Sequence, residues 1–156
     1  MSVKALPDGY STITPYLIVQ GATLAIGFYE LVFGAKERMR LAMPGDKIGH
    51  AELEIGNSLI MLADEPTGSE CSSKSPVTVG GTPVTIHIYV EDVDTVFAKA
   101  LAAGGKEIRA VANQFYGDRS GMFSDPFGHH WNVATHMEDV SPEEIQKRVA
   151  AMSKKG

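Results

Sequence analysis

Apolar and polar positions along the chain divide it into segments of two alternating periods. Residues 12–19 are rich in β-branched and aromatic side chains and read as a strand; Pro15 favours an edge or a strand start. Within 22–33, Leu24, Ile26, Phe28, Leu31 and Val32 recur at helical spacing, and Gly34 supplies the stop. Strand patterns follow at 37–42, 50–55 and 58–63. They are parted by Met43-Pro44-Gly45-Asp46 and by Gly56-Asn57, a tight-hairpin signal. Residues 66–81 are a linker by composition. The pattern then begins again with a strand at 84–90. Asp92 is an N-cap for a helix over 93–103, where Val93, Val96, Phe97, Ala100 and Leu101 form one stripe that Gly104-Gly105 ends. Strands at 107–112, 120–124 and 130–135 follow, the last two joined by the turn Asp125-Pro126-Phe127-Gly128. Ser141-Pro142-Glu143-Glu144 opens a closing helix over 141–152, with Ser at the N-cap, Pro at the first helical position and acids in the first turn. Residues up to 11 read as a polar arm.

The two halves repeat at a fixed offset. Val19 and Val90, Thr14 and Thr85, and Met61 and Asn132 each stand 71 residues apart. The expected architecture is α+β: two tandem βαβββ modules, 12–65 and 82–136, within a single 1–156 domain, with a linker at 66–81.

Composition narrows the function classes. Of the 156 residues, 44% are hydrophobic and 21% charged, as in globular chains, which excludes a disordered tail. The formal charge of −5 argues against nucleic acid, whose phosphates need a basic surface. It would suit a cationic guest, although an acidic balance is common. No apolar run is long enough for a membrane span, and the N-terminal residues lack a signal-peptide core. The single cysteine, Cys71, can form neither an internal disulfide nor a thiolate cluster, and nothing beside it suggests a reactive thiol. A cytoplasmic location is expected. No phosphate-cradling glycine loop is present.

Four stretches carry a resemblance. Phe28-Tyr-Glu-Leu-Val-Phe-Gly34, Asp125-Pro-Phe-Gly-His-His-Trp131, Phe115-Tyr-Gly-Asp-Arg-Ser-Gly121 and Trp131-Asn-Val-Ala-Thr-His136, on a duplicated βαβββ pattern, resemble the vicinal oxygen chelate superfamily. That superfamily includes glyoxalase I, extradiol dioxygenases and the bleomycin and fosfomycin resistance proteins. Together with Thr14-Pro-Tyr-Leu they look most like its PhnB-like branch. The resemblance implies a curved mixed sheet around a cleft (the glyoxalase/bleomycin resistance fold) and a homodimer. It also implies, in metal-dependent members, four His or Glu ligands on the first and fourth strands of the modules.

Carried onto this sequence by the offset, the ligand positions are Thr14, Met61, Thr85 and Asn132. None is a His or a carboxylate, so the usual metal site looks lost and no cofactor is expected. Displaced by two or four residues along the same strand faces stand Tyr16, Glu65, His87 and His136. They are candidates for polar ligand contacts, a displaced metal site or acid–base chemistry, against plain structural roles. His50 and Glu52 alternate on one strand and either face the cleft together or sit on a half-exposed sheet face. Phe115, Tyr116 and Trp131 either line a cleft or belong to the core. Asp118 and Arg119 pair with each other or across a dimer contact, and His129 and His130 suit turn or capping roles.

Two functions remain open. One is a small-molecule binder without the metal, using Tyr16, Met61, Glu65, His87, Tyr116, Asn132 and His136. The other is a metal-dependent lyase, isomerase or dioxygenase-like enzyme, in which a divalent ion chelates vicinal oxygens of the substrate.

Overall fold

A computed structural model describes residues 2–68 and 72–155, so Cys71 lies outside the described residues. The backbone forms two units, Met1–Pro83 with Pro126–His129, and Val84–Asp125 with His130–Gly156.

In the first unit, strand β1 (Tyr16–Val19) leads into helix α1 (Ala22–Phe33). Strands β2 (Lys36–Met43), β3 (Lys47–Ile55) and β4 (Ser58–Asp64) follow. The sheet order is β1-β4-β3-β2, with β1 parallel to β4 and the other pairs antiparallel. The expected strand over 12–19 therefore starts only at Tyr16. Ala25, Ile26, Tyr29 and Val32 of α1 are buried, as are Leu17, Val19, Ala51, Leu53 and Leu62 on alternating positions of β1, β3 and β4. Phe127 completes this core, edge-on to Phe28 at 6.3 Å between ring centroids. Leu24 and Leu31, read from the sequence as part of the buried stripe, are exposed; Ala22, Ala25 and Tyr29 hold the buried positions instead.

Helix α1 has no capping side chain of its own, because Gly21 occupies the N-cap with φ of 97°. Asp64, at the end of β4, supplies the missing acceptor. One carboxylate oxygen accepts from Gly21 N and Ala22 N at 2.9 Å each, and the other accepts from Ile48 N at 2.8 Å. Burial raises the pKa of this group, but the three backbone donors outweigh it and hold the carboxyl below the usual range.

The linker carries a short helix α2 (Pro76–Val79), capped by Ser75. The second unit repeats the first: β5 (Thr85–Tyr89), α3 (Val93–Ala102), β6 (Lys106–Asn113), β7 (Asp118–Ser124) and β8 (His130–His136), in sheet order β5-β8-β7-β6. Val93, Phe97 and Ala100 of α3 are buried with Phe123, Trp131 and Val133 of the sheet. Gly121 keeps this packing close. A Cβ there would stand 2.8 Å from Val111 and 2.9 Å from Phe97. The last helix, α4 (Pro142–Ser153), buries no residue; Arg148 tethers it through Glu138 at 2.7 Å and Phe115 O at 2.9 Å.

The offset of 71 reaches the capping chemistry. Asp64 receives Ala22 N, and Thr135 Oγ1 receives Val93 N at 3.0 Å, both pairs being 71 residues apart.

Candidate functional site

Each sheet buries one face under its helix and leaves the other open, because side chains alternate along a strand. On the first sheet, Tyr16 stands opposite Met61, Met61 opposite Glu52, and Glu52 opposite Met39. On the second, His87 stands opposite Asn132, Asn132 opposite Met122, and Met122 opposite Arg109. These registers correct the first-strand positions carried over from the resemblance. Thr14 lies before β1, and Thr85 pairs with His130 rather than with Asn132. The parallel partners of Met61 and Asn132 are Tyr16 and His87.

The open face of the first unit carries a hydrogen-bonded chain. Tyr16 Oη lies 2.9 Å from His50 Nδ1, and His50 Nε2 lies 3.2 Å from Glu52 Oε1. Glu52 is held below the usual carboxylate range, first by the Tyr10 phenol and then by His50. Tyr10 is half-buried, with its hydroxyl oxygen shielded from solvent on the Glu52 side. An ionised Glu52 only accepts, so His50 donates from Nε2, and its Nδ1 shares a hydrogen bond with the Tyr16 hydroxyl. The chain orients the phenol at the edge of a cleft of about 750 Å³ in the same unit, lined by Tyr16, Ile18, Lys47, Ala63 and Glu65. His50 and Glu52 share one half-exposed sheet face, the second of the two arrangements the sequence left open.

On the second unit, Arg109 Nη2 donates to Asn132 Oδ1 at 2.8 Å and to Ser120 Oγ at 3.2 Å, and Nη1 donates to Ser120 O at 3.3 Å. Asn132 Nδ2 lies 2.7 Å from His87 Nδ1. A guanidinium has no acceptor, so the amide oxygen must face Arg109 and the amide nitrogen must donate to His87. The neutral His87 ring accepts at Nδ1 and carries its proton on Nε2. One row along, Tyr89 donates to Asp118 at 2.9 Å, and His136 spans Asp118 and Asp139 at 2.8 Å each. Those two carboxylates raise the His136 pKa, with Asp118 the larger influence.

The remaining candidates separate. Glu65 accepts from Thr78 Oγ1 at 2.6 Å, Ser75 N at 2.9 Å and Gln20 at 3.1 Å, so it anchors α2 while its side chain edges the cleft. Trp131 is fully buried and donates to Asp125 at 2.9 Å, which places it in the core. Tyr116 is half-buried and packs edge-on against Phe115. Asp118 and Arg119 do not pair with each other: Arg119 grips Asp94 through two bonds of 2.8 Å. His129 reaches Ile18 O at 2.9 Å, within the first unit. Sequence reasoning missed Arg109, whose importance lies in its cross-strand partners. Among the described residues, no three His, Cys, Asp or Glu side chains gather as a metal group, and no helix is long and apolar enough to cross a membrane.

Comparison with known proteins agrees with this fold. An uncharacterized protein of Mycobacterium bovis, Mb0911c, is 44% identical over 146 residues, covering 92% of this chain and 93% of that one. TioX from Micromonospora sp. ML1 superposes with a TM-score of 0.63 at 26% identity, over 81% of this chain and 99% of that one. The PhnB protein from Bacillus cereus gives 0.63 at 18% identity, over 80% and 99%, a likeness of fold alone. The sequence pattern of one family matches residues 12–133. With the duplicated βαβββ modules, that match makes the chain a member of the Glyoxalase/Bleomycin resistance protein/Dioxygenase superfamily.

Proposed function

We propose that this chain is a small-molecule-binding protein of the superfamily that works without the usual metal. One observation carries the reading. At the paired positions of the first and fourth strands stand Tyr16 with Met61 and His87 with Asn132, and the one hard amide oxygen among them already accepts from Arg109. A hard divalent cation favours carboxylate and imidazole donors, and thioether sulfur suits soft metals. A fixed guanidinium beside Asn132 also repels a second cation. His87 is the one imidazole among the four and no carboxylate joins it, so the donors present do not make up the family's ligand set.

The open faces instead offer what a small-molecule site needs: apolar side chains such as Met61, Ile18 and Met122 beside a few oriented polar groups. Titration of Mn(II) and Zn(II) into the purified, chelator-treated protein tests the reading. It predicts no stoichiometric binding tighter than about 10 μM. One equivalent of a co-purifying divalent ion that small-molecule binding requires would overturn it. A cytoplasmic homodimer belongs to the same reading, with Leu24 and Leu31, 73% and 61% exposed on α1, as apolar surface for a second copy. Sedimentation at micromolar concentration that returns only a 16.7 kDa species would contradict the dimer.

A further inference from the structure

We infer that the open face of the second sheet is an oxyanion site, with Arg109 as its anchor and a small organic anion, carboxylate or phosphate in class, as its ligand. The inference rests on the small-molecule reading above and adds the charge of the guest.

Arg40, Arg119 and Arg148 each hold a carboxylate within 2.8 Å: Glu37, Asp94 and Glu138. Arg109 does not. It is half-buried, and its hydrogen bonds go to Ser120 O, Ser120 Oγ and Asn132 Oδ1, all neutral acceptors. No carboxylate pairs with it among the described residues. Asp118, the nearest acid by register on this face, is engaged by Tyr89 and His136. A partly desolvated cation without a counter-ion is costly to hold, and an anion from outside removes that cost.

The neighbours of Arg109 are donors too. Asn132 keeps a second amide N–H beyond the one it gives His87, and the exposed His87 ring presents Nε2–H by the tautomer argument. Register places Arg109, Met122, Asn132 and His87 in one row across the four strands, so the donors follow a line with an apolar thioether among them. Arg109 also sits between two register irregularities of β6, the device by which strands re-aim a side chain. Tyr89, 61% exposed and edge-on to His87 at 4.7 Å, adds an aromatic edge for the organic part of the ligand. The overall charge of −5 would suit a cationic guest, but the one fixed charge in this row is the guanidinium of Arg109.

The test is an NMR titration of the full-length, chelator-treated protein with benzoate and with inorganic phosphate, following the Arg109 Nε–H and His87 ring signals. Benzylamine and benzyl alcohol serve as the cationic and neutral counterparts. The expected result is saturable shifts of both residues with benzoate, phosphate or both, which also separates a carboxylate from a phosphate preference. Arg109→Gln should weaken that binding at least tenfold. Asn132→Asp, nearly isosteric, supplies the missing counter-ion from within and should weaken it as much, so the result does not depend on Arg109→Gln folding. Anion binding changed less than twofold in the folded variants, or no shift at this face with either anion, overturns the inference. If benzylamine or benzyl alcohol saturates the face while the anions do not, the oxyanion claim falls and the small-molecule reading stands. If no organic probe binds until one equivalent of Mn(II) or Zn(II) is added, both fall.

Discussion

The two units share one scaffold and differ in what they place on its open face. Position for position at the offset of 71, Tyr16 becomes His87, Met61 becomes Asn132 and Asp64 becomes Thr135. In the first unit an anion, Glu52, stands at the end of a chain through His50 to a phenol. In the second a cation, Arg109, stands at the end of a chain through Asn132 to an imidazole. Both chains engage a histidine through Nδ1, but one is oriented by a negative charge and the other by a positive one. The two units therefore share their register and capping geometry and differ on the exposed face.

The largest expected effect breaks the scaffold half of this comparison. Asp64→Ala orphans three backbone donors and should cost about 2–4 kcal/mol in urea denaturation. The matching Thr135→Val removes one neutral acceptor at the α3 start and the donor to Val90 O, and should cost about 1 kcal/mol. Equal losses at the two positions would mean that the caps are not related as described. The acid limb sharpens the contrast. The Asp64 pKa is depressed in the folded chain, so its contribution is present above the unfolded value of about 3.9 and is lost as pH falls through the folded value. Asp64→Asn should flatten that limb of the stability profile, and Thr135→Val should leave it unchanged.

Smaller effects address the faces. Tyr16→Phe removes a bond between partly exposed groups and should cost less than about 1 kcal/mol. It should move the His50 Nδ1 resonance in nitrogen NMR without moving that of His87. A shift of both would deny that the two chains are independent. The smallest effect is at His136, whose raised pKa makes its pairing with Asp118 and Asp139 stabilising below its unfolded pKa of about 6.5. That contribution is lost as pH rises through the folded value, and His136→Gln should remove the pH dependence in this window.

Much of the fold was legible because it depends on local chemistry. Helix α1 falls where the apolar period and Gly34 place it, and the hairpin turns at Gly56-Asn57, since Gly56 accepts a φ of 57°. The start of β1 was not, because Thr12, Ile13 and Thr14 have strand-like side chains but no partner strand beside them; pairing begins at Tyr16. The short α2 inside the linker carried the same Ser-Pro start as α4, hidden in a stretch that composition alone calls a loop. The site was less legible for a different reason. Which residue faces Met61 or Asn132 is a question of register between strands distant in sequence, and a slip of two residues leaves periodicity unchanged. Arg109 gave no local signal at all. Its meaning comes from Asn132 and Ser120 on two other strands, and from the absence of an acid beside it among the described residues.

The central claim is that the second sheet reads its ligand with a guanidinium in place of a metal. Calorimetric titration of benzoate and of inorganic phosphate into chelator-treated protein, wild type against Asn132→Asp, tests it most directly. The account predicts binding of at least one of these anions without added metal, weakened at least tenfold in the variant. Binding that appears only after one equivalent of divalent metal is added, or that is the same in both proteins, would contradict it.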